Sequence, residues 1–228
     1  MLFKSQVLTQ ASGSVGGLTY SHNAGGMYTR ARATPTNPGT PFQAAVRQIM
    51  GDLAKRWTNV LTPAQRTAWE LYAQNVPLIN RLGESRSIPG LAMFVRCNTP
   101  RLQAALDVVD DGPSTYSLPN FTAPTMVVDE ADQEAEMTFT DTDLWATEVG
   151  GAMLLQLSRP QNPAIRYFKN PYRFAGLIAG AVIPPTSPEV IAVPFPVVEG
   201  QKVFGFVRVC RADGRLSEPF RSDTLVTA

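Results

Sequence analysis

The sequence predicts an α+β chain in three successive parts: an extended N-terminal β-hairpin arm, a helical hairpin, and an antiparallel β-sandwich. Three observations predict it. Glycine-rich, alternating stretches dominate residues 1–39. Two segments with matching helix-start signals follow between Thr40 and Gln74. From Thr125 onward, short period-2 runs rich in Val, Phe and Thr are separated by turn residues. Charge changes along the chain as well. Residues 1–106 hold 11 Lys/Arg against 3 Asp/Glu, and residues 107–228 hold 9 against 16. Opposite charge on two parts of a small protein lets neighbouring copies attract one another head to tail.

The arm, residues 1–39, reads as a hairpin. Leu18 and Tyr20 alternate with Thr19 and Ser21, and Asn23-Ala24-Gly25-Gly26 is a turn signal. Met27-Tyr28-Thr29-Arg30 is β-prone on its far side. Ala33-Thr34-Pro35-Thr36-Asn37-Pro38-Gly39 cannot then be helix, because proline pushes the residue before it toward extended geometry. A lone two-stranded hairpin is marginal in water, so the arm must pack on its own body or on another subunit. Leu18, Tyr20, Tyr28, Arg30 and Arg32 are the candidate partner-binding residues.

Residues 40–106 read as a helical domain. Thr40-Pro41-Phe42-Gln43 and Thr62-Pro63-Ala64-Gln65 each place Thr at the N-cap, Pro at the first helical position and Gln at the third. The first helix should run from Pro41 to Thr58, with Phe42, Val46, Ile49, Met50, Leu53 and Trp57 forming its apolar face. The second should run from Pro63 to Gln74, with Trp69, Tyr72 and Val76 on its buried side. Only Asn59-Val60-Leu61 separates them, which predicts an antiparallel αα-hairpin. After a connector over 75–87, a third helical stretch begins near Ile88-Pro89-Gly90. Asn98-Thr99-Pro100 should interrupt it and start a new short helix through Leu106. Residues 107–124 are acidic and Pro-containing and read as a linker.

Residues 125–228 should hold six or seven short strands, among them Thr125–Val128, Glu134–Thr140, Ala152–Ser158, Phe174–Gly180, Gln201–Cys210 and Ser222–Thr227. Ala212-Asp213-Gly214-Arg215 marks a tight turn after the longest. The spacing, together with Trp145, resembles a fibronectin type III or immunoglobulin-like module.

Catalytic chemistry finds little footing. The single histidine, His22, lies in a Gly/Asn turn, where no preorganised pocket is expected for a Ser-His-Asp or Cys-His arrangement. A His-based zinc site lacks ligands. Cys97 and Cys210 have apolar neighbours and no metal-ligand spacing, so they should be buried, reduced thiols. Gly13, Gly16, Gly17, Gly25 and Gly26 lack the Gly-Lys-Ser/Thr of a phosphate loop and instead permit positive φ and close backbone approach in a turn or against another chain. The carboxylates between Asp129 and Asp143 do not follow an EF-hand spacing and read as a solvated rim. Arg30, Arg32, Arg47 and Arg56 come without the basic run or stacking aromatics of a nucleic-acid site. Tyr167, Phe168, Tyr172 and Phe174 form a candidate carbohydrate- or receptor-binding cluster. No apolar run is long enough to span a membrane, and the start lacks a signal-peptide pattern, so cytoplasmic synthesis is expected. No enzyme activity, cofactor or metal is expected.

Several elements recur as a set: Gly13-Ser14-Val15-Gly16-Gly17-Leu18-Thr19-Tyr20, Gly25-Gly26, Arg30-Ala31-Arg32, Asn37-Pro38-Gly39-Thr40, Gln43, Arg47, Trp57, Leu61-Thr62, Gln65-Arg66 and Trp69. Later members are Gly90, Phe94, Asn98, Leu102, Ser158-Arg159-Pro160-Gln161-Asn162-Pro163 and Arg211-Ala212-Asp213-Gly214-Arg215-Leu216-Ser217. Together they resemble a group of virion proteins of tailed bacteriophages and prophages, over most of the chain. The resemblance carries over no catalytic residue. It implies a non-enzymatic virion structural protein, capsid-associated as a decoration or minor head protein and assembling through its arm. A tail tube, baseplate or connector accessory is the alternative placement. The implied partners are major capsid or tail proteins and further copies of the chain, and the implied location is the virion.

Overall fold

The computed structural model describes residues 11–23, 26–79 and 83–228. The chain forms two compact units, Met1–Pro41 and Phe42–Ala228.

In the first unit β1 (Gly13–Val15), β2 (Leu18–Asn23) and β3 (Gly26–Ala31) make an antiparallel sheet in the order β1-β2-β3. The expected hairpin therefore gains a third strand. Val15 pairs with Leu18 across a two-residue loop, Gly16-Gly17. Gly16 has φ +57°, the positive value at the first loop position that a type II′ hairpin turn needs. The Gly-rich lead-in is thus a turn between strands. The backbone N–H of Arg32 continues the ladder to the Gly17 carbonyl at 2.9 Å. Ala24 and Gly25 of the expected second turn lie outside the described residues.

The second unit begins with three helices: α1 (Pro41–Asn59, its first residue at the boundary), α2 (Pro63–Asn75) and α3 (Gly90–Gln103). Between α2 and α3, β4 (Leu78–Ile79) and β5 (Ser85–Arg86) form a short ladder. The capping box of α2 is present. Gln65 N donates to Thr62 Oγ1 at 3.3 Å, and Thr62 N donates to Gln65 Oε1 at 2.9 Å. The expected α1–α2 hairpin is not the packing that forms; α2 lies along α3. Gly90 allows this, since a Cβ there would sit 2.7 Å from Glu70 Cγ and 2.9 Å from Glu70 N. Trp69 and Tyr72 of α2 and Met93, Phe94 and Cys97 of α3 are all fully buried, with the Trp69 and Phe94 rings edge to face at 5.5 Å. Burying Phe94 and Met93 stabilises the fold by about 1.5–3 kcal/mol each. α1 reaches this cluster only through its later residues Ile49, Leu53 and Trp57. Phe42 and Met50, expected on the buried face, remain 41% and 48% exposed.

α3 also departs from expectation by running through Pro100 without a break. Cys97, Asn98 and Arg101 are buried on both sides of the proline, so packing overrides the local preference. The Thr99 hydroxyl donates to the Val95 carbonyl at 2.7 Å, and Asn98 Nδ2 donates to Phe94 O at 3.2 Å.

Residues 107–124 contain no helix or strand, but they are tied to the helices throughout their first half. Val109 N donates to Asn98 Oδ1 at 2.9 Å, and Trp69 Nε1 donates to Asp110 O at 2.9 Å. Arg56 grips both Asp110 carboxylate oxygens at 2.6 Å. This segment is a strap rather than a loose linker.

The seven remaining strands are β6 (Thr125–Asp129), β7 (Glu134–Thr138), β8 (Ala152–Ser158), β9 (Tyr172–Ala179), β10 (Glu189–Ala192), β11 (Lys202–Cys210) and β12 (Phe220–Thr227). They form one sheet in the order β10-β7-β6-β12-β11-β8-β9. Every pairing is antiparallel except the short parallel contact of β12 with β6. β10 is the strand that the sequence pattern misses, because its four residues, set between Pro188 and Pro194, are too few to show a period. The end strands approach each other, with Gly176 of β9 against Ile191 of β10, so the sheet curls toward closure. Its inner side buries Met137, Trp145, Leu155, Val207 and their neighbours. On the outer side of β8 and β11, Ala152, Leu154 and Cys210 join the helical cluster. Helices and strands thus share a core within one unit. The protein is mixed α+β, with a large, mostly antiparallel sheet.

Candidate functional site

The β2–β3 register sorts the five candidate partner-binding residues. Leu18 lies opposite Ala31 and Tyr20 opposite Thr29; Thr19 lies opposite Arg30 and Ser21 opposite Tyr28. Side chains alternate along a strand. Leu18 and Tyr20 therefore share one face of the arm with Val15, His22 and Met27. Tyr28 and Arg30 take the other face with Thr19 and Ser21, and Arg32 follows in step just past the strand end. The arm has an apolar face and a basic face, not a single five-residue patch. Val15 and Leu18 are 74% and 46% exposed. Arg30 and Arg32 are exposed and make no ion pair among the described residues. His22 also lies on this arm sheet, exposed, one pair from its Asn23–Gly26 end.

The charge asymmetry is partly satisfied within the chain. Arg56 pairs with Asp110, and Arg96 with Glu218 at 3.1 Å, each joining the basic first part to the acidic second. The Asp110 carboxylate, bonded through both oxygens, holds the Arg56 guanidinium above its ordinary pKa. Arg211 is raised in the same way by Glu148.

The two cysteines are free and buried. Burial pushes the Cys97 thiol up to about 11 in spite of neighbouring Arg96 and Arg208, and it also raises Cys210. Neither thiol is poised as a nucleophile. Burial, reinforced by repulsion from Arg96, lowers Arg208 to about 10. Among the described residues, no group of three or more His, Cys, Asp or Glu side chains could hold a metal ion. No helix among them is long and apolar enough to cross a membrane.

Three of the four candidate aromatics stay connected, the Phe168 and Tyr172 rings edge to face at 5.3 Å and Arg221 lying over both Tyr167 and Phe206. Phe168 stacks on Phe204 at 5.7 Å, Tyr172 packs on Phe206 at 5.1 Å, and the Tyr172 hydroxyl donates to Phe168 O at 3.0 Å. Phe174 turns to the helical cluster. Tyr167 alone stays well exposed, at 64%, with Arg221 Nη1 donating to its hydroxyl at 2.8 Å. Sequence reasoning also missed the outer face of β6, β7 and β10, because β10 itself was invisible in the pattern. That face carries Val127, Glu134, Glu136 and Val190. The acidic residues between Glu130 and Glu136 were legible, but not the strand beside them.

No protein-family model matches the chain, and no curated protein matches it. Among solved structures, the chain is similar to the Clostridium perfringens spore cortex lytic enzyme SleM. The identity is 12%, over 50% of this chain and 31% of that one, with a TM-score of 0.32. The match spans less than a third of that enzyme's length, and a likeness this distant carries no argument about activity.

Proposed function

We propose that this chain is a non-enzymatic structural protein of a tailed-bacteriophage virion, capsid-associated and assembling through its N-terminal arm. The observation that carries the reading is the arm itself. It is a compact unit by itself, with an exposed apolar face and a basic face whose Arg30 and Arg32 make no ion pair among the described residues. Residues 32–39, which follow it, are exposed and hold no helix or strand. A three-stranded sheet with both faces so furnished is built to be covered by something else.

The body supports the same reading as a compact unit whose helices and strands share a core. We further propose that its seven strands are a fibronectin III- or immunoglobulin-like sandwich. Divided at the short parallel β12–β6 contact, the hydrogen-bonded order would supply two layers, β10-β7-β6 and β12-β11-β8-β9. Lettered A to G, with β9 as C′, they read E-B-A and G-F-C-C′. The G-F-C-C′ run is the immunoglobulin variable-type arrangement. A tail placement serves the same features equally. The exposed Tyr167, held by Arg221, favours a glycan-binding module as the second reading.

The test is mass spectrometry of gradient-purified phage particles, followed by gold-labelled antibody to locate the chain on them. Absence from particles would end the proposal, and label on the tail would move it there. A cheaper check is trypsin digestion of the isolated protein. The first cut should fall at Arg32 and release a fragment starting at Ala33. Initial cleavage within Phe42–Ala228 would contradict the division into arm and body.

A further inference from the structure

Strands β6, β7 and β10 keep a strict alternation. Met126, Val128, Ala135, Met137 and Ile191 turn inward to the core. The residues between them turn outward. Val127, Glu136 and Val190 stand in one cross-strand row, and Asp129 stands directly opposite Glu134. Val127 and Val190 are 46% and 51% exposed, so the row has an uncovered apolar component. The three strands carry no Lys or Arg. Like charges directly opposite one another destabilise a sheet. Even so, Glu134 and Glu136 make no ion pair among the described residues.

The arm has the complementary face. Residues 1–51 contain Lys4, Arg30, Arg32 and Arg47 and no Asp or Glu. Arg30 and Arg32 are two residues apart on an extended chain, as Glu134 and Glu136 are on β7. Each pair is therefore spaced by about 6.6–6.8 Å, and Tyr28 lies beside the arginines on the same face.

We propose that the Tyr28–Arg30–Arg32 face of the arm docks on the Val127–Glu134–Glu136–Val190 face of a second copy of this chain. The proposal rests on the reading of the chain as an arm-assembled structural protein. Charge complementarity selects the occupant. Tyr28 would cover the valines while each arginine meets a glutamate, which also relieves the Asp129–Glu134 repulsion. The two surfaces belong to different parts of the chain, so the contact is heterologous and propagates as a ring or an open row. A particle lattice needs such a contact.

The test is sedimentation velocity on the full chain across a broad concentration range, at low salt and at about 1 M salt, where the screening length falls to about 3 Å. The expected result is self-association at low salt that weakens at high salt. Reversing the arm (Arg30→Glu with Arg32→Glu) should weaken it at least about tenfold. Reversing the sheet (Glu134→Arg with Glu136→Arg) should do the same, each pair of contacts contributing at the scale of exposed ion pairs. Mixing the two variants should restore association, since each then offers one intact and one reversed face that match across molecules. Circular dichroism of each variant confirms folding.

A monomer at every concentration would overturn the proposal, including the case in which the arm folds back on its own body. Association unaffected by the glutamate reversal would overturn it too, placing the arm's acceptor elsewhere. Neither result touches the virion reading, which stands or falls on particle composition.

Discussion

Arg101 is the most consequential polar residue of the body. It is 3% exposed on α3, is held by three carbonyls and also reaches the Cys210 thiol. Its Nε donates to Asp107 O at 2.8 Å, and its Nη1 donates to Arg211 O at 3.0 Å and Gly150 O at 3.2 Å. One guanidinium therefore ties α3 to the strap, to the loop before β8 and to the turn after β11. Arg101→Met keeps the stem and much of the volume but leaves three carbonyls without this donor. Hydrogen bonds to a charged donor contribute about 1.5–3 kcal/mol each, so three contribute roughly 4–9 kcal/mol. Removing a cation from the interior returns several kcal/mol of desolvation. The expected net loss is about 3 kcal/mol. At about 2–4 °C per kcal/mol for a chain of this size, Tm should fall by about 6–12 °C. Urea unfolding followed by tryptophan fluorescence, paired with thermal circular dichroism, measures both quantities. Arg101→Lys should fall between parent and Met, since it keeps the charge but not the fork of donors. A Met variant as stable as the parent, or more stable, would refute the reasoning by showing that desolvation outweighs the three bonds.

Three further outcomes rest on packing and burial. Gly112 lies against the α2 backbone, where a Cβ would sit 2.6 Å from Ala68 C and Trp69 N; Gly112→Ala should cost about 1–3 kcal/mol in urea titration, and a neutral result would mean that the strap lifts freely. Both cysteines should resist a thiol reagent such as DTNB in the native protein and react fully in denaturant. The Cys97 value of about 11 lies above its ordinary 9.0, so the unfolded chain gives up that proton first. Its stabilising effect is whole below about pH 9 and is lost as pH rises through 11. The stability advantage of the parent over Cys97→Ala should therefore shrink across that range.

The helix starts and most strands were legible because their signals are local. Thr62-Pro63-Ala64-Gln65 closes its own capping box, and Val203, Val207 and Val209 turn inward as their spacing requires. The candidate partner-binding residues were legible as residue types, but their division into two faces waited on the β2–β3 register. Gly16-Gly17 read as turn glycines from residue type alone, but the strand that the turn adds, β1, was known only from the pairing of Val15 with Leu18. Pro100 read as a break because the rule for proline describes an isolated helix, whereas here buried Cys97, Asn98 and Arg101 hold the turns on both sides.

Amino-acid order alone established the α-then-β sequence of elements, the Thr62 cap of α2, the buried thiols and the uneven charge, since each depends on residues only a few positions apart. Folding in three dimensions chose α3 over α1 as the partner of α2, tied the acidic strap to the helices, seated the helices on β8 and β11, and set β10 beside β7. Those outcomes depend on which distant surfaces fit and bury one another, a comparison among long-range alternatives that no short window of the chain contains.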